Sequence, residues 1–272
     1  MTVSRADTVA ILGAGVMGEA LLSGWLRGGR DAATVLISDR SPERLAHLED
    51  KYAVRARPAA EAAAQAATLV LAVKPQDMRA LVQEISGAVG DSTLVVSLAA
   101  GITTAFLEAQ LPEGTSVARV MPNTPALVDQ GMSAVSPGAN CDADQLATAT
   151  GLLQACGRVV ALPEHHLDAV TAISGSGPAY IFYVVEAMIE AGVLLGMPRA
   201  TSTELVVQTL YGAATMLKET GEHPTVLREQ VSSPGGTTMA ALRELDDHKV
   251  RAAFLTAIEA AARRSAQLAA GE

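Results

Sequence analysis

The chain has 272 residues, of which 49% are hydrophobic and 18% charged, with a mean hydropathy of +0.27. That is too apolar and too weakly charged for a disordered chain, and the length points to two domains rather than one. A formal charge of −9 and an aromatic content of 3% exclude a phosphate-tracking surface and a base-stacking platform, so nucleic acid is not an expected partner.

The opening stretch MTVSRADTVAILG lacks the long apolar core and small-residue cleavage site of a secretory signal, so a cytoplasmic location is expected. Short β-prone runs then alternate with helical segments: TVAIL (8–12), TVLIS (34–38), LVLAV (69–73), TLVVS (93–97) and SVARV (116–120). Between them, EALLSGWLRGG, SPERLAHLEDKY and PQDMRALVQEISGAV carry apolar residues at helical spacing, which predicts parallel βαβ units in a doubly wound sheet. Weaker strands at 131–137 and 158–162 flank the helix DADQLATATGLLQAC and extend that sheet. From about residue 164 the strand pattern stops. Helical segments near 165–174, 178–196, 199–220, 223–231 and 238–269 predict an all-α second domain, with boundaries at 1–163 and 164–272.

Residues 179–197, AYIFYVVEAMIEAGVLLGM, are almost long enough to span a bilayer. Glu186 and Glu190 would be costly at membrane depth, and no basic flank is present, so a core or interface helix is expected and no membrane partner. Several of these helices carry more apolar surface than so small a domain can cover, which predicts a homodimer. Cys141 and Cys156 are far apart with no CxxC neighbour, and His165 and His166 are adjacent, which keeps them from facing one site. Neither a disulfide framework nor a metal site is expected.

Directly after the first strand, GAGVMG places Gly13, Gly15 and Gly18 in GxGxxG spacing, followed by a helix. This strand–turn–helix context is what a dinucleotide fingerprint needs: a tight turn, close approach of a pyrophosphate, and helix amides facing the anion. The second strand ends in ISDRS, which points both ways. Asp39 suits a ribose 2′-hydroxyl, Arg40 with Ser38 and Ser41 suits a 2′-phosphate, and Asp39 and Ser41 serve equally as helix caps. Downstream, AVKP (Ala72, Val73, Lys74, Pro75) and the segment containing Ala99, Ala100 and Gly101 close two further strands at the carboxyl edge, where ligands bind. Lys74 either touches the dinucleotide or is solvated while the backbone makes the contacts.

In the helical half, SSPGG runs into TMAALREL, so the amides of residues 236–238 can converge on an anion such as a carboxylate, with Thr237 and Thr238 adding hydroxyls. The same residues also read as an interhelical turn in which Thr237 caps the helix. AISGSGPAY (172–180) sets a Gly-Ser-Gly turn before Pro178, and Ser174 or Ser176 is a candidate to meet the nicotinamide or the substrate.

GAGVMG, AVKPQ, SLAAGIT, RVMPNTP, AISGSGPAY and VSSPGGTTMAAL, in this order, resemble pyrroline-5-carboxylate reductases over essentially the whole chain. The resemblance implies reduction of the cyclic imine 1-pyrroline-5-carboxylate to L-proline by NADPH or NADH. It also implies a Rossmann domain followed by a helical domain that interlocks with a partner subunit, with decamers known in the family. It places the substrate carboxylate on the amides around Gly236, Thr237 and Thr238, with the Thr238 hydroxyl near the ring nitrogen as the catalytic contact. Ser233 lies in the same loop, and Glu164 and Gln230 match positions that line the proline site. Glu164 alone reads as an N-terminal helix acid. On the coenzyme side the resemblance implicates Gly13, Ala14, Gly15, Val16, Met17, Gly18, Ser38, Lys74, Ala99, Ala100 and Gly101. The resemblance implies NADPH as coenzyme; relatives often carry Asn or Ser in place of Asp39 and Asn near Ala59, and these departures keep NADH admissible. The competing readings are a β-hydroxyacid dehydrogenase or related imine reductase, which would want an interdomain lysine, and a dinucleotide sensor without turnover.

Overall fold

Runs of β-branched and leucine residues bounded by glycine, serine or proline become eight strands in the computed structural model, which describes residues 4–270. β1 (Val9–Leu12), β2 (Val35–Ser38), β3 (Arg55–Ala56), β4 (Thr68–Leu71), β5 (Leu94–Ser97), β6 (Ser116–Met121), β7 (Gly131–Pro137) and β8 (Gly157–Ala161) form one sheet in the order β3-β2-β1-β4-β5-β6-β7-β8. Only the β6–β7 pair is antiparallel. The strand order reverses between β1 and β4, which opens a crevice at the carboxyl end of β1.

Alternating side chains send Val9 and Ile11 of β1 to one face and Ala10 and Leu12 to the other. The first face is covered by α1 (Val16–Arg27), α2 (Pro42–Tyr52) and α6 (Ala143–Gln154) through Leu22, Trp25, Leu48 and Leu153. The second is covered by α3 (Ala59–Gln65), α4 (Pro75–Ile85) and α5 (Thr104–Glu108) through Ala62, Met78, Ile85 and Leu107. With both faces covered, β1, β2, β4 and β5 are buried along their whole length, which is why they read as continuous apolar runs.

β3 and α3 escape the periodicity analysis for physical reasons. β3 is a two-residue edge pairing with Leu36 and Ile37, and α3 is the alanine-rich AAEAAAQ, whose composition favours helix without marking a face.

Beyond β8, a 3₁₀ turn at Glu164–His166 leads into α7 (Leu167–Val170) and a π-helical turn at Thr171–Gly175. α8 (Gly177–Leu194), α9 (Arg199–Thr220), α10 (Pro224–Gln230), α11 (Thr237–Asp247) and α12 (Val250–Ala270) follow. The single segment expected over 238–269 is two helices, because Lys249 takes a left-handed conformation with φ 58° and its amide closes onto the Asp246 carbonyl.

The chain divides into two compact units, Gly177–Ala260 forming one, while the other ends at Ser176 and takes the chain up again from Ala261. Compactness thus places residues 164–176 with the sheet rather than with the helices. Leu167 and Ala172 are fully buried, and Asp168 Oδ1 accepts a 2.7 Å bond from the buried Ser265 hydroxyl near the end of α12.

Within the helical unit, α8 and α9 cross closely at Gly192, where any side chain would overlap Ser202, whose hydroxyl donates to the Ile189 carbonyl at 2.8 Å. The outer faces stay bare: Phe182, Tyr183 and Leu194 are 66%, 76% and 87% exposed. The stretch Glu164–Leu194 is long and apolar enough, by length and composition, to cross a membrane.

Candidate active site

The glycine-rich loop is shaped by two close approaches. A Cβ on Gly13, whose φ is +99°, would come within 2.7 to 2.8 Å of the Ala72 backbone and the Val73 side chain, and a Cβ on Gly18 would overlap the Gly13 carbonyl. Gly15, the N-cap of α1, faces open space within 4 Å. The Gly13 amide is anchored on the Ser38 carbonyl at 2.8 Å. The amides of Val16, Met17 and Gly18 have no partner among the described residues and stand at the positive end of a twelve-residue helix. A diphosphate fits this cradle: donors are free, the dipole is favourable, and no side chain blocks the approach to Gly15.

Two hollows run along the carboxyl edge of the sheet and share Ala72, Val73 and Lys74. One of about 450 Å³ is lined by Gly13, Gly15, Ser38, Asp39, Arg40 and Asp77, among others. The other, of about 310 Å³, is lined by Met17, Pro75, Ala99, Ala100, Met121 and Asn123. Together they supply room at both ends of the loop, as a two-headed nucleotide needs. A third hollow of about 660 Å³, lined by Asp7, Trp25, Arg30 and Thr68, lies at the opposite edge of the sheet and takes in none of the expected site residues.

Within ISDRS, Ser41 and not Asp39 is the helix cap. Asp39 Oδ2 accepts from the Ala14 amide at 2.8 Å and Oδ1 from the Ser41 amide at 3.0 Å, while Ser41 Oγ accepts from Arg44 to cap α2. Arg40 reaches across to Asp77 at 2.8 Å. Gly101, with φ +74°, lies against the Leu268–Ala269 backbone, from which a side-chain Cβ at this position would stand only 3.3 Å.

In the helical unit, Ser233–Gly236 is a β-turn in which Pro234 precedes Gly235 at φ +69°, closed by a 3.0 Å bond from the Gly236 amide to the Ser233 carbonyl. That bond removes Gly236 from the expected trio of donors, because the turn needs its amide. The free amides are instead those of Thr237, Thr238 and Met239, which have no partner among the described residues. Gly236 is the N-cap of α11, so Thr237 is not a cap. Thr238 is half-buried, whereas Gln230 and Ser233 are exposed at the end of α10 and in the turn.

Glu164 is fully engaged within the sheet unit. Its carboxylate accepts from the Thr104 amide at 2.9 Å, the Thr104 hydroxyl at 2.6 Å and the buried Arg119 guanidinium at 3.1 Å. Burial would raise its pKa, but these donors outweigh it and hold the carboxyl below the usual range. The helix-acid reading missed this because Thr104 and Arg119 lie 60 and 45 residues away. The Ser176 amide donates to the Thr171 carbonyl at 2.8 Å, closing the π turn, and the Ser174 hydroxyl to the Val170 carbonyl at 3.1 Å.

Set against known proteins, residues 164–268 match the sequence model described as pyrroline-5-carboxylate reductase dimerisation, and residues 8–101 match one described as NADP oxidoreductase coenzyme F420-dependent. A pyrroline-5-carboxylate reductase of Corynebacterium melassecola is 46% identical over 265 residues, covering 96% of this chain and 98% of that protein. This chain belongs to the pyrroline-5-carboxylate reductase family. A solved pyrroline-5-carboxylate reductase from Coxiella burnetii superposes with a TM-score of 0.90 at 33% identity, covering 97% of this chain and 99% of that one. A pyrroline carboxylate reductase from Plasmodium falciparum with NADP bound superposes with a TM-score of 0.89 at 27% identity, covering 98% of this chain and 100% of that one.

This family member also uses residues that motif reading passed over. Asn123, inside RVMPNTP, bonds the Met132 amide through Oδ1 at 2.8 Å and the Ser174 carbonyl through Nδ2 at 3.1 Å, so it ties the Gly-Ser-Gly segment to the 310 Å³ hollow it lines. Arg44 donates from Nε to the Ala14 carbonyl at 2.8 Å and pairs with Glu19, holding the glycine-rich loop from its other side. Neither signal is local in sequence.

Proposed function

We propose that this enzyme reduces 1-pyrroline-5-carboxylate to L-proline, the closing step of proline biosynthesis, with NADPH as reductant and NADH admissible. The observation that carries the reading is the pair of pre-formed anion cradles, one at the start of α1 and one at the start of α11, in a chain belonging to this family. Gly13 to Gly18 would hold the coenzyme diphosphate, Ser38 to Arg40 the adenosine ribose, and Ala72 to Pro75 with Ala99 to Gly101 the walls towards the nicotinamide, with Ser176 nearby. Bound there, the reduced nicotinamide supplies a hydride.

The protein's own part is placement. The amides of Thr237, Thr238 and Met239 receive the substrate carboxylate without a lysine, and Ser233, Gly236 and Gln230 border that position. The Thr238 hydroxyl hydrogen-bonds the ring nitrogen, which carries the proton as the carbon–nitrogen double bond accepts hydride at carbon and becomes the single bond of proline. Glu164, whose carboxylate is taken up by Thr104 and Arg119 within the sheet unit, is given a structural part. Residues 164–272 act as the substrate and dimerisation segment and 1–163 as the coenzyme segment. Lys218, in the last turn of α9, and Lys249, between α11 and α12, are exposed, and neither adjoins the Ser-Pro-Gly-Gly turn in sequence, which disfavours the hydroxyacid dehydrogenase reading.

The helical segment is a dimerisation domain and the protein a homo-oligomer. The bare faces of α8 and α9 are proposed to interlock in a homodimer, five of which would build a decamer. Two free thiols suit the cytosol, the proposed compartment. Coenzyme oxidation followed at 340 nm with pyrroline-5-carboxylate, and with product identified as L-proline, tests the function. Thr238→Ala should lower kcat/KM by about 10- to 100-fold, the worth of a hydrogen bond to a charged group, and Thr238→Ser should retain most of it. Full turnover and affinity in Thr238→Ala would overturn the role given to that hydroxyl.

A further inference from the structure

Resting on the coenzyme reading above, we propose that Asp77 sets the preference between the phosphorylated and unphosphorylated dinucleotides by competing with a ribose 2′-phosphate for Arg40. The strand order places β1 between β2 and β4. Arg40 follows β2, and Asp77 lies in the first turn of α4, which follows β4, so their 2.8 Å ion pair crosses over the carboxyl end of β1. Both residues line the 450 Å³ hollow, together with Ser38, Asp39 and Lys74. The pair is therefore a strap over the end of the trough that begins at the ribose-reading segment.

The chemistry of the strap gives it a direction. Asp39, the acid that would ordinarily read the ribose, has each oxygen on a backbone amide, Ala14 on one side and Ser41 on the other. Asp77 has the guanidinium of Arg40 as its partner, and the Arg40 side chain is 84% exposed against 25% for Asp77. An exposed pair of this kind is weak, and a phosphate monoester offers more charge and more acceptor oxygens than a carboxylate. Arg40 accordingly leaves Asp77 for a 2′-phosphate, whereas a plain ribose leaves the strap closed. Breaking the pair and seating a dianion near Asp77 both subtract from the affinity for the phosphorylated coenzyme, and neither touches the other one.

Calorimetric titration of NADP+ and NAD+ at low ionic strength tests this by binding alone. Asp77→Asn should tighten NADP+ by about five-fold and leave NAD+ within two-fold, the scale expected of one exposed pair. Asp77→Glu, which keeps the charge, should behave as wild type. Arg40→Ala should weaken NADP+ selectively, and adding Asp77→Asn to it should recover little, since the competition has lost its object. An Asp77→Asn effect that is absent, or equal for the two nucleotides, overturns the proposal while NAD+ binding shows the site intact. Wild-type protein that binds neither nucleotide would remove the coenzyme reading itself and the proposal with it.

Discussion

The Asp39 carboxylate accepts the Ala14 amide at 2.8 Å, so the end of β2 holds the glycine-rich loop that follows β1. With Arg44 donating to the Ala14 carbonyl, this one residue is gripped from two sides by the β2–α2 segment. Asp39→Ala removes acceptors from two amides at once and should cost about 2 to 4 kcal/mol, taking each bond at the charged-acceptor scale and allowing water to replace part of it. Chemical denaturation reads the loss. Calorimetry should show both dinucleotides weakened together, since the loop is common to both.

Glu19 anchors the other half of that grip. Burial by itself would raise its pKa, but hydrogen bonds from Lys51, Arg44 and Tyr52 prevail and bring it down from 4.5 to about 2. A carboxyl with a depressed folded-state pKa stabilises the fold above its unfolded value, and that stabilisation drains away as the pH falls from about 4.5 to about 2. Glu19→Gln should therefore be less stable than wild type at pH 7 and converge on it towards pH 2. Denaturation midpoints across that range provide the comparison, and parallel curves would refute the assignment.

Glu164→Ala leaves the guanidinium of Arg119, a residue only 5% exposed, without its carboxylate. Breaking one side of such a pair should cost about 3 to 5 kcal/mol. Because the carboxylate is engaged by Thr104 and Arg119, Glu164→Gln is expected to lower the melting temperature while changing the KM for pyrroline-5-carboxylate less than two-fold. A large rise in KM at unchanged stability would instead make Glu164 a direct substrate contact.

Phe182 and Tyr183 are large, apolar-bodied and exposed on α8. Burying such a ring pair against a second copy is worth about 3 to 6 kcal/mol at the usual transfer scale, so Phe182→Glu with Tyr183→Glu should dissociate the assembly. Light scattering after gel filtration would show the mass fall, with the sheet unit still folded by circular dichroism.

Gly192 is a stricter point of contact, since α8 meets Ser202 of α9 there with no room for a methyl group. Gly192→Val should destabilise the helical unit by about 1 to 3 kcal/mol or more, the range for overpacking, as measured by urea unfolding.

The parallel sheet was legible in the chain because strands buried on both faces must be apolar throughout, and the glycine fingerprint because only glycine tolerates the approaches at Gly13 and Gly18. The turn before α11 was equally plain in the letters Ser-Pro-Gly-Gly, although which amides it leaves free was not. That depends on the φ of +69° at Gly235, which commits the Gly236 amide to closing the turn. Whether Asp39 caps a loop or reads a sugar, and whether Glu164 meets substrate or Arg119, rests on partners tens of residues distant. Local pattern encodes burial and backbone freedom, which are properties of a residue and its neighbours, whereas a carboxylate's role is set by whichever donors folding brings within hydrogen-bonding distance.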